Sequence, residues 1–219
     1  MIAKKFLLQP LAVAALFCVS GASQAALTVY NSQAAFDAAV TNKGTDTYTG
    51  FSITGTTNSP ITRTTSVGTA YTYNGSAPDN FFGAGTTANP WLSTNTATDT
   101  MTFYGFTGGV SAIGGNFFDS TISGTFAAGS ITLVATDGSG SSTQTIPGAT
   151  VSSFLGFVST GPLTSLTVTS VQPSTGFLWP TVDNLQLAVA VPEPSAYAMA
   201  LAGLGMLGFV ARRRKGATS

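Results

Sequence analysis

The sequence predicts an all-β chain, an antiparallel β-sandwich of jelly-roll type, flanked by an N-terminal signal helix and a C-terminal transmembrane helix. Three observations carry the β prediction. Short segments alternate with a period of two: Met101 and Phe103 against Thr100, Thr102 and Tyr104, and Ile131, Leu133 and Ala135 against Thr132, Val134 and Thr136. Eight to ten such blocks are separated by turn residues, as in Asp137-Gly138-Ser139-Gly140 and Gly161-Pro162. Threonine, which is favoured on pleated sheets, supplies 34 of the 165 residues from 26 to 190.

In chain order, residues 27–30 form the first strand candidate. Asn31 or Ser32 then caps a short helix through about Val40, with Ala35, Phe36, Ala39 and Val40 clustered at helical spacing. Further strands are expected at 48–54, 70–73, 100–106, 110–118, 130–136, 143–146, 154–159, 163–168 and 181–189. The stretch 73–98 is less regular and reads as loops. Phe117, Phe118, Phe154 and Phe157 are assigned to the core, and 165 residues are enough to build one without staples. Apolar blocks recur throughout, so a folded domain is favoured over disorder.

Both ends carry targeting chemistry. Lys4 and Lys5 precede an apolar stretch from Phe6 to Val19, and Ser23-Gln24-Ala25 offers small residues where a signal peptidase inspects them. Residues 1–25 therefore read as a signal peptide cut between Ala25 and Ala26. The single cysteine, Cys18, lies in this leader behind the bulky Phe17, so neither lipidation nor a disulfide is expected in the mature chain.

At the other end, Val191, Pro192, Glu193 and Pro194 precede an uncharged apolar run from 195 to 211, and Arg212, Arg213, Arg214 and Lys215 follow it. Seventeen helical residues reach roughly 25 Å, at the short end of a bilayer span. Basic residues stay on the cytoplasmic side, so the Pro-Glu-Pro segment faces the opposite compartment as an extended stalk open to a protease. The alternative is a soluble core helix with its dipole compensated by the basic residues, but the run lacks a polar stripe. This three-part arrangement resembles the PEP-CTERM sorting tail of Gram-negative bacteria, whose members are substrates of membrane exosortases. The resemblance covers residues 191–219. It implies transient inner-membrane tethering facing the periplasm, cleavage near Pro-Glu-Pro by an exosortase-type membrane protease, and transfer to the cell surface or outside. The segments Val110 to Gly115, Phe154 to Val158 and Thr181 to Leu185 are also similar to the β-rich ectodomains that precede such tails, which implies architecture alone.

The part between the two signals, residues 26–190, carries two basic residues, Lys43 and Arg63, against seven aspartates, a balance of 2 − 7 = −5. Nucleic-acid binding is therefore not expected. No histidine occurs anywhere, which removes Ser-His-Asp and Cys-His sites and the usual zinc, copper and iron ligand sets. The expectation is a protein that is not an enzyme, with a structural or adhesive role in exopolysaccharide or biofilm.

Three candidate sites remain. A lectin-like module would use Tyr71, Tyr73, Trp91 and Trp179, among Asn74, Asp79, Asn80 and Asn89, to hold exopolysaccharide, against the alternative that these aromatics fill the core. Asp183 and Asn184 are the candidates for a structural calcium, the one metal this composition permits, against simple loop hydrogen bonding. A calcium-dependent hydrolase would need paired aspartates, with Asp119 and Asp137 at neighbouring strand ends, although aspartate beside Ser or Gly is usually a turn former.

Overall fold

The computed structural model describes residues 27–191, 201 and 203–205. The signal peptide with its Ala25–Ala26 junction, the Pro192, Glu193 and Pro194 of the tail, and Arg212 to Lys215 lie outside the described residues. So does the span 195–211, apart from four exposed helical positions. No helix of the described residues is long and apolar enough to cross a membrane.

Between residues 27 and 191 the alternation seen in the sequence resolves into sixteen strands and one helix. The first half contains β1 (Thr28–Tyr30), α1 (Gln33–Ala39), β2 (Val40–Asp46), β3 (Thr56–Thr57), β4 (Ile61–Thr64), β5 (Val67–Gly68), β6 (Thr72–Ser76), β7 (Phe81–Thr86) and β8 (Asn89–Thr94). The second contains β9 (Met101–Tyr104), β10 (Ala112–Ser120), β11 (Phe126–Ala127), β12 (Gly129–Asp137), β13 (Ser141–Ala149), β14 (Phe154–Val158), β15 (Leu163–Val171) and β16 (Trp179–Ala190). All pairings are antiparallel. One sheet runs β1-β14-β10-β16-β8-β7-β3, with β2 also paired to β16 and β5, and β11 to β10. The other runs β13-β12-β15-β9-β6-β4.

The core lies between the sheets. Ile131, Leu133, Leu166, Val168, Phe103 and Tyr73 of the second sheet meet Ile113, Phe117, Leu155, Phe157, Val182, Leu185 and Leu187 of the first. Burying each such side chain contributes about 1.5–3 kcal/mol before entropy is counted. Phe117, Phe118, Phe154 and Phe157 are all buried, as the sequence predicts.

The two outer faces differ. The second sheet turns rows of threonine to solvent, with Thr132 hydroxyl-bonded to Thr145 at 2.9 Å and Thr100 to Thr169 at 3.0 Å. By contrast, β10, β14 and β16 are covered on both sides, which is why their sequences read as nearly continuous apolar runs. Helix α1 covers one end, its N-terminus capped by Ser32 Oγ accepting from the Ala35 N–H at 3.2 Å. Phe36, the helix's one buried residue, lies over Gly156, where an added Cβ would meet its ring at 2.4 Å.

Two predicted features are corrected. Residues 48–54 do not form a strand, because Tyr48, Gly50 and Thr54 adopt positive φ values of 54°, 84° and 57°, and the pairing strand is β2 just before them. The stretch 73–98 is not loops but holds β6, β7 and β8. Its Asn, Gly and Pro residues look like breakers locally, yet β7 and β8 pair through a tight Thr86–Asn89 hairpin, and sheet pairing overrides the weak propensity.

Candidate functional site

A cleft of about 610 Å³ opens at the free edge of the sandwich. Its walls come from the β1–α1 junction (Asn31, Ser32, Gln33), from β13 (Gln144, Thr145, Ile146, Pro147), from Ser152 and Ser153, and from Asn116, Phe154 and Leu155. The register explains the opening. Edge strand β13 places Gln144 opposite Leu133 and Ile146 opposite Ile131, so both side chains lean inward over β14. The β14 ladder begins only at Phe154, opposite Asn116, which leaves the start of that strand uncovered. The lining is amide, hydroxyl and hydrocarbon. Among the described residues no charged side chain contributes.

The aromatic residues predicted to bind sugar are not brought together. Tyr71 and Tyr73 are core residues, 4% and 0% exposed. The Tyr71 hydroxyl donates to Asn42 O at 2.7 Å, and that of Tyr73 to Asp46 Oδ2 at 2.7 Å. Trp91 packs edge-on against Phe118 at 4.8 Å, on the far face of the first sheet, and its buried Nε1 has no hydrogen-bond partner among the described residues. Trp179 donates to Asn95 O at 3.2 Å. Amphipathic alternation gave no sign of which face each ring would take.

Nor do the aspartates converge. Asp119 sits beside Gly129 at the start of β12, and Asp137 ends the same strand eight residues on, roughly 26 Å away. Asp137 is the turn former expected of an aspartate before Gly and Ser. It accepts from Ser139 N, Ser139 Oγ and Gly140 N through Oδ1 and from Ser159 Oγ through Oδ2. Burial raises its pKa, but these donors outweigh that and hold it down at about 2. Asp119 is pushed up to about 6 by burial, which one hydrogen bond from Ser170 offsets only in part.

Asp183 pairs with Asn116, and the bulge in β16 follows it, where Asn184 and Leu185 oppose Gly115, with Asn184 at φ 51°. Asp183 is buried, accepts from Asn89 Nδ2 at 3.3 Å through Oδ2, and leaves Oδ1 without a partner among the described residues. Burial raises its pKa. Among the described residues no three acidic, His or Cys side chains gather as a metal site. Calcium takes six to eight oxygens, and the contacts of Asp183 supply no such cage.

Sequence reasoning missed an ion pair buried on one side. Arg63 binds Asp46 between the sheets, with Nε 2.6 Å from Oδ2 and Nη2 2.7 Å from Oδ1. Its guanidinium also lies over the Tyr48 and Phe51 rings at 5.2 and 5.6 Å. The available signal was that Arg63 is one of two basic residues in the domain, placed in a strand-like Ile-Thr-Arg-Thr.

The end of β16 is held by the fold up to Val191. Ala190 N donates to Ser111 Oγ at 2.8 Å, and Val191 N to Ala39 O at 2.9 Å. Pro192 has no N–H and cannot extend that ladder. Residues 190–215 match the family model described as the PEP-CTERM protein-sorting motif. No curated protein and no solved structure matches the chain. From the last residue of β16 onwards the chain thus carries a PEP-CTERM sorting motif, which implies an exported protein with a membrane-associated precursor and processing by an exosortase-type membrane enzyme.

Proposed function

We propose that the protein is a non-enzymatic surface module that acts by adhesion, holding a neutral polysaccharide chain in the cleft between β13 and β14. The observation that carries this reading is the lining of that cleft. Asn31, Gln33, Asn116 and Gln144 can both donate and accept, Ser152, Ser153 and Thr145 add hydroxyls, and Ile146, Pro147 and Phe154 supply apolar surface. A neutral sugar presents hydroxyls at its rim and C–H groups on its face, so it meets both halves. Its volume lies within the roughly 300–1,000 Å³ common for ligand sites. An anionic polymer would find no cation there, and the domain's charge of −5 would oppose it.

Adhesion is favoured over turnover because each of the seven aspartates is engaged by the fold. Asp37 pairs with Lys43, Asp46 with Arg63, and Asp79 accepts from Asn95. Asp99 accepts from Asp79 N, Asp119 from Ser170, Asp137 from its turn and Asp183 from Asn89. A retaining or inverting glycosidase needs two carboxyls facing one substrate bond.

A glycan array of neutral and acidic polysaccharides tests the proposal. Binding to a neutral polymer is expected, weakened about tenfold, or 1.4 kcal/mol, by Gln144→Ala with Asn116→Ala. Unchanged binding in that variant would remove the cleft, and release of reducing ends from the bound polymer would remove the non-enzymatic reading.

A further inference from the structure

The positions of the two termini determine how the precursor stands on its membrane. Thr28, Val158, Ala112 and Ala188 form one row across β1, β14, β10 and β16. At about 4.8 Å per strand, the start of the domain and its last strand are roughly 14 Å apart at the same end of the sandwich. Ala39, Ser111 and the 159–162 turn share that end, since Val191 N bonds to Ala39 O, Ala190 N to Ser111 Oγ, and Ser159 N to Ser111 O.

We infer that in the uncut precursor this end of the sandwich docks end-on against the lipid headgroup surface. The inference rests on reading residues 195–211 as the membrane span. Four Cα steps separate Val191, the last residue held by the fold, from Ser195. At no more than about 3.6 Å each, they allow a leash of roughly 14 Å. The headgroup layer takes about 5–7 Å of that on one side of a bilayer. The gap left is narrower than the roughly 10–12 Å of one α-helix with its side chains. No other domain fits beneath the sandwich, and the processing enzyme reaches the motif from the side.

The opposite end faces away. Ile122, Phe126, Val171 and Phe177 are exposed there, 72%, 40%, 47% and 64%, and β10 alone separates the two ends by roughly 26 Å. Ser152, Ser153 and Phe154 place the cleft towards that far end, so tethering leaves it open.

Thiol labelling of the full-length precursor in native membranes, without the processing enzyme, tests the docking. A Cys18→Ser background leaves one introduced thiol, Thr160→Cys at the tethered end or Ile122→Cys at the far end, and the probe is polyethylene-glycol maleimide. Inserting twelve Gly/Ser residues between Val191 and Pro192, a coil of roughly 19 Å mean span, should speed labelling of Thr160→Cys about tenfold and leave Ile122→Cys unchanged. A membrane-held precursor whose Thr160→Cys reacts equally fast with and without the spacer overturns the docking alone. Extraction of the precursor by alkaline carbonate overturns the span and the docking with it.

Discussion

Arg63 of β4 grips Asp46 of β2 with both arms of its guanidinium, and so ties the edge strand of the second sheet to the first sheet. Asp46 is fully buried and also accepts from the Tyr73 hydroxyl and the Tyr48 N–H. Arg63→Met leaves that carboxylate without a counter-charge, at an expected cost of about 3–5 kcal/mol in urea unfolding of the mature chain. Asp46→Leu combined with Arg63→Met should recover much of the loss. An additive double variant would mean that the two side chains do not act as a pair.

Asp119 makes stability depend on pH in a direction opposite to most carboxylates. Its Oδ1 takes the Ser170 hydroxyl, while Oδ2 is buried without a partner among the described residues. Burial raises its pKa to about 6, above the ordinary aspartate value of about 3.9, so between those values the folded chain holds a proton there that the unfolded chain releases. Stability from this group is present below about pH 4 and is lost as pH rises through 6, by on the order of 2 kcal/mol. Asp137 has the opposite sign: with its folded pKa at about 2, its contribution is present above pH 4 and disappears as pH falls towards 2. Unfolding midpoints between pH 2 and 8 should therefore peak near pH 4, and Asp119→Asn should flatten the alkaline side of that peak. A midpoint that rises steadily from pH 4 to 8 would contradict the assignment.

Gly129 packs directly against Asp119 and Leu178. A Cβ at this position would lie 2.2 Å from Asp119 Oδ2 and 2.5 Å from Leu178 Cδ1, closer than real Cβ contacts come. Gly129→Ala must displace either the carboxylate or the leucine, with an expected cost of about 1–3 kcal/mol from overpacking. If Gly129→Ala restores stability when combined with Asp119→Ser, the clash is with the carboxylate; if not, it is with Leu178.

The sequence makes the layer architecture legible because the second sheet obeys a strict period of two. In β12, Ile131, Leu133 and Ala135 face inward while Thr132, Val134 and Thr136 face out, and turn residues delimit each strand. Short-range signals also locate the Ser32 cap and the Asp137 turn, since those bonds close within three residues. What cannot be read is any feature that depends on which strands become neighbours. The Arg63–Asp46 pair spans 17 residues and two sheets, and the cleft joins Asn31 to Gln144. The aromatic cluster failed for the same reason: Tyr73 and Trp91 look equivalent along the chain, yet one points into the core and the other lies on the opposite face of the first sheet.

Trp91 separates packing from recognition. Its ring contributes apolar contact with Phe118, while its buried Nε1–H donates to nothing among the described residues, a state that costs about 1–3 kcal/mol. Trp91→Phe removes that unsatisfied donor but also part of the ring volume, so the two effects offset and stability should change by less than about 1 kcal/mol. Trp91→Ala loses the contact as well and should cost about 3–5 kcal/mol. Polysaccharide binding should survive Trp91→Phe, because the indole is outside the β13–β14 cleft. Loss of binding in a Trp91→Phe chain with unchanged stability would move the recognition surface from the sandwich edge to the outer face of the first sheet, where Asn89 and Asp183 are its neighbours.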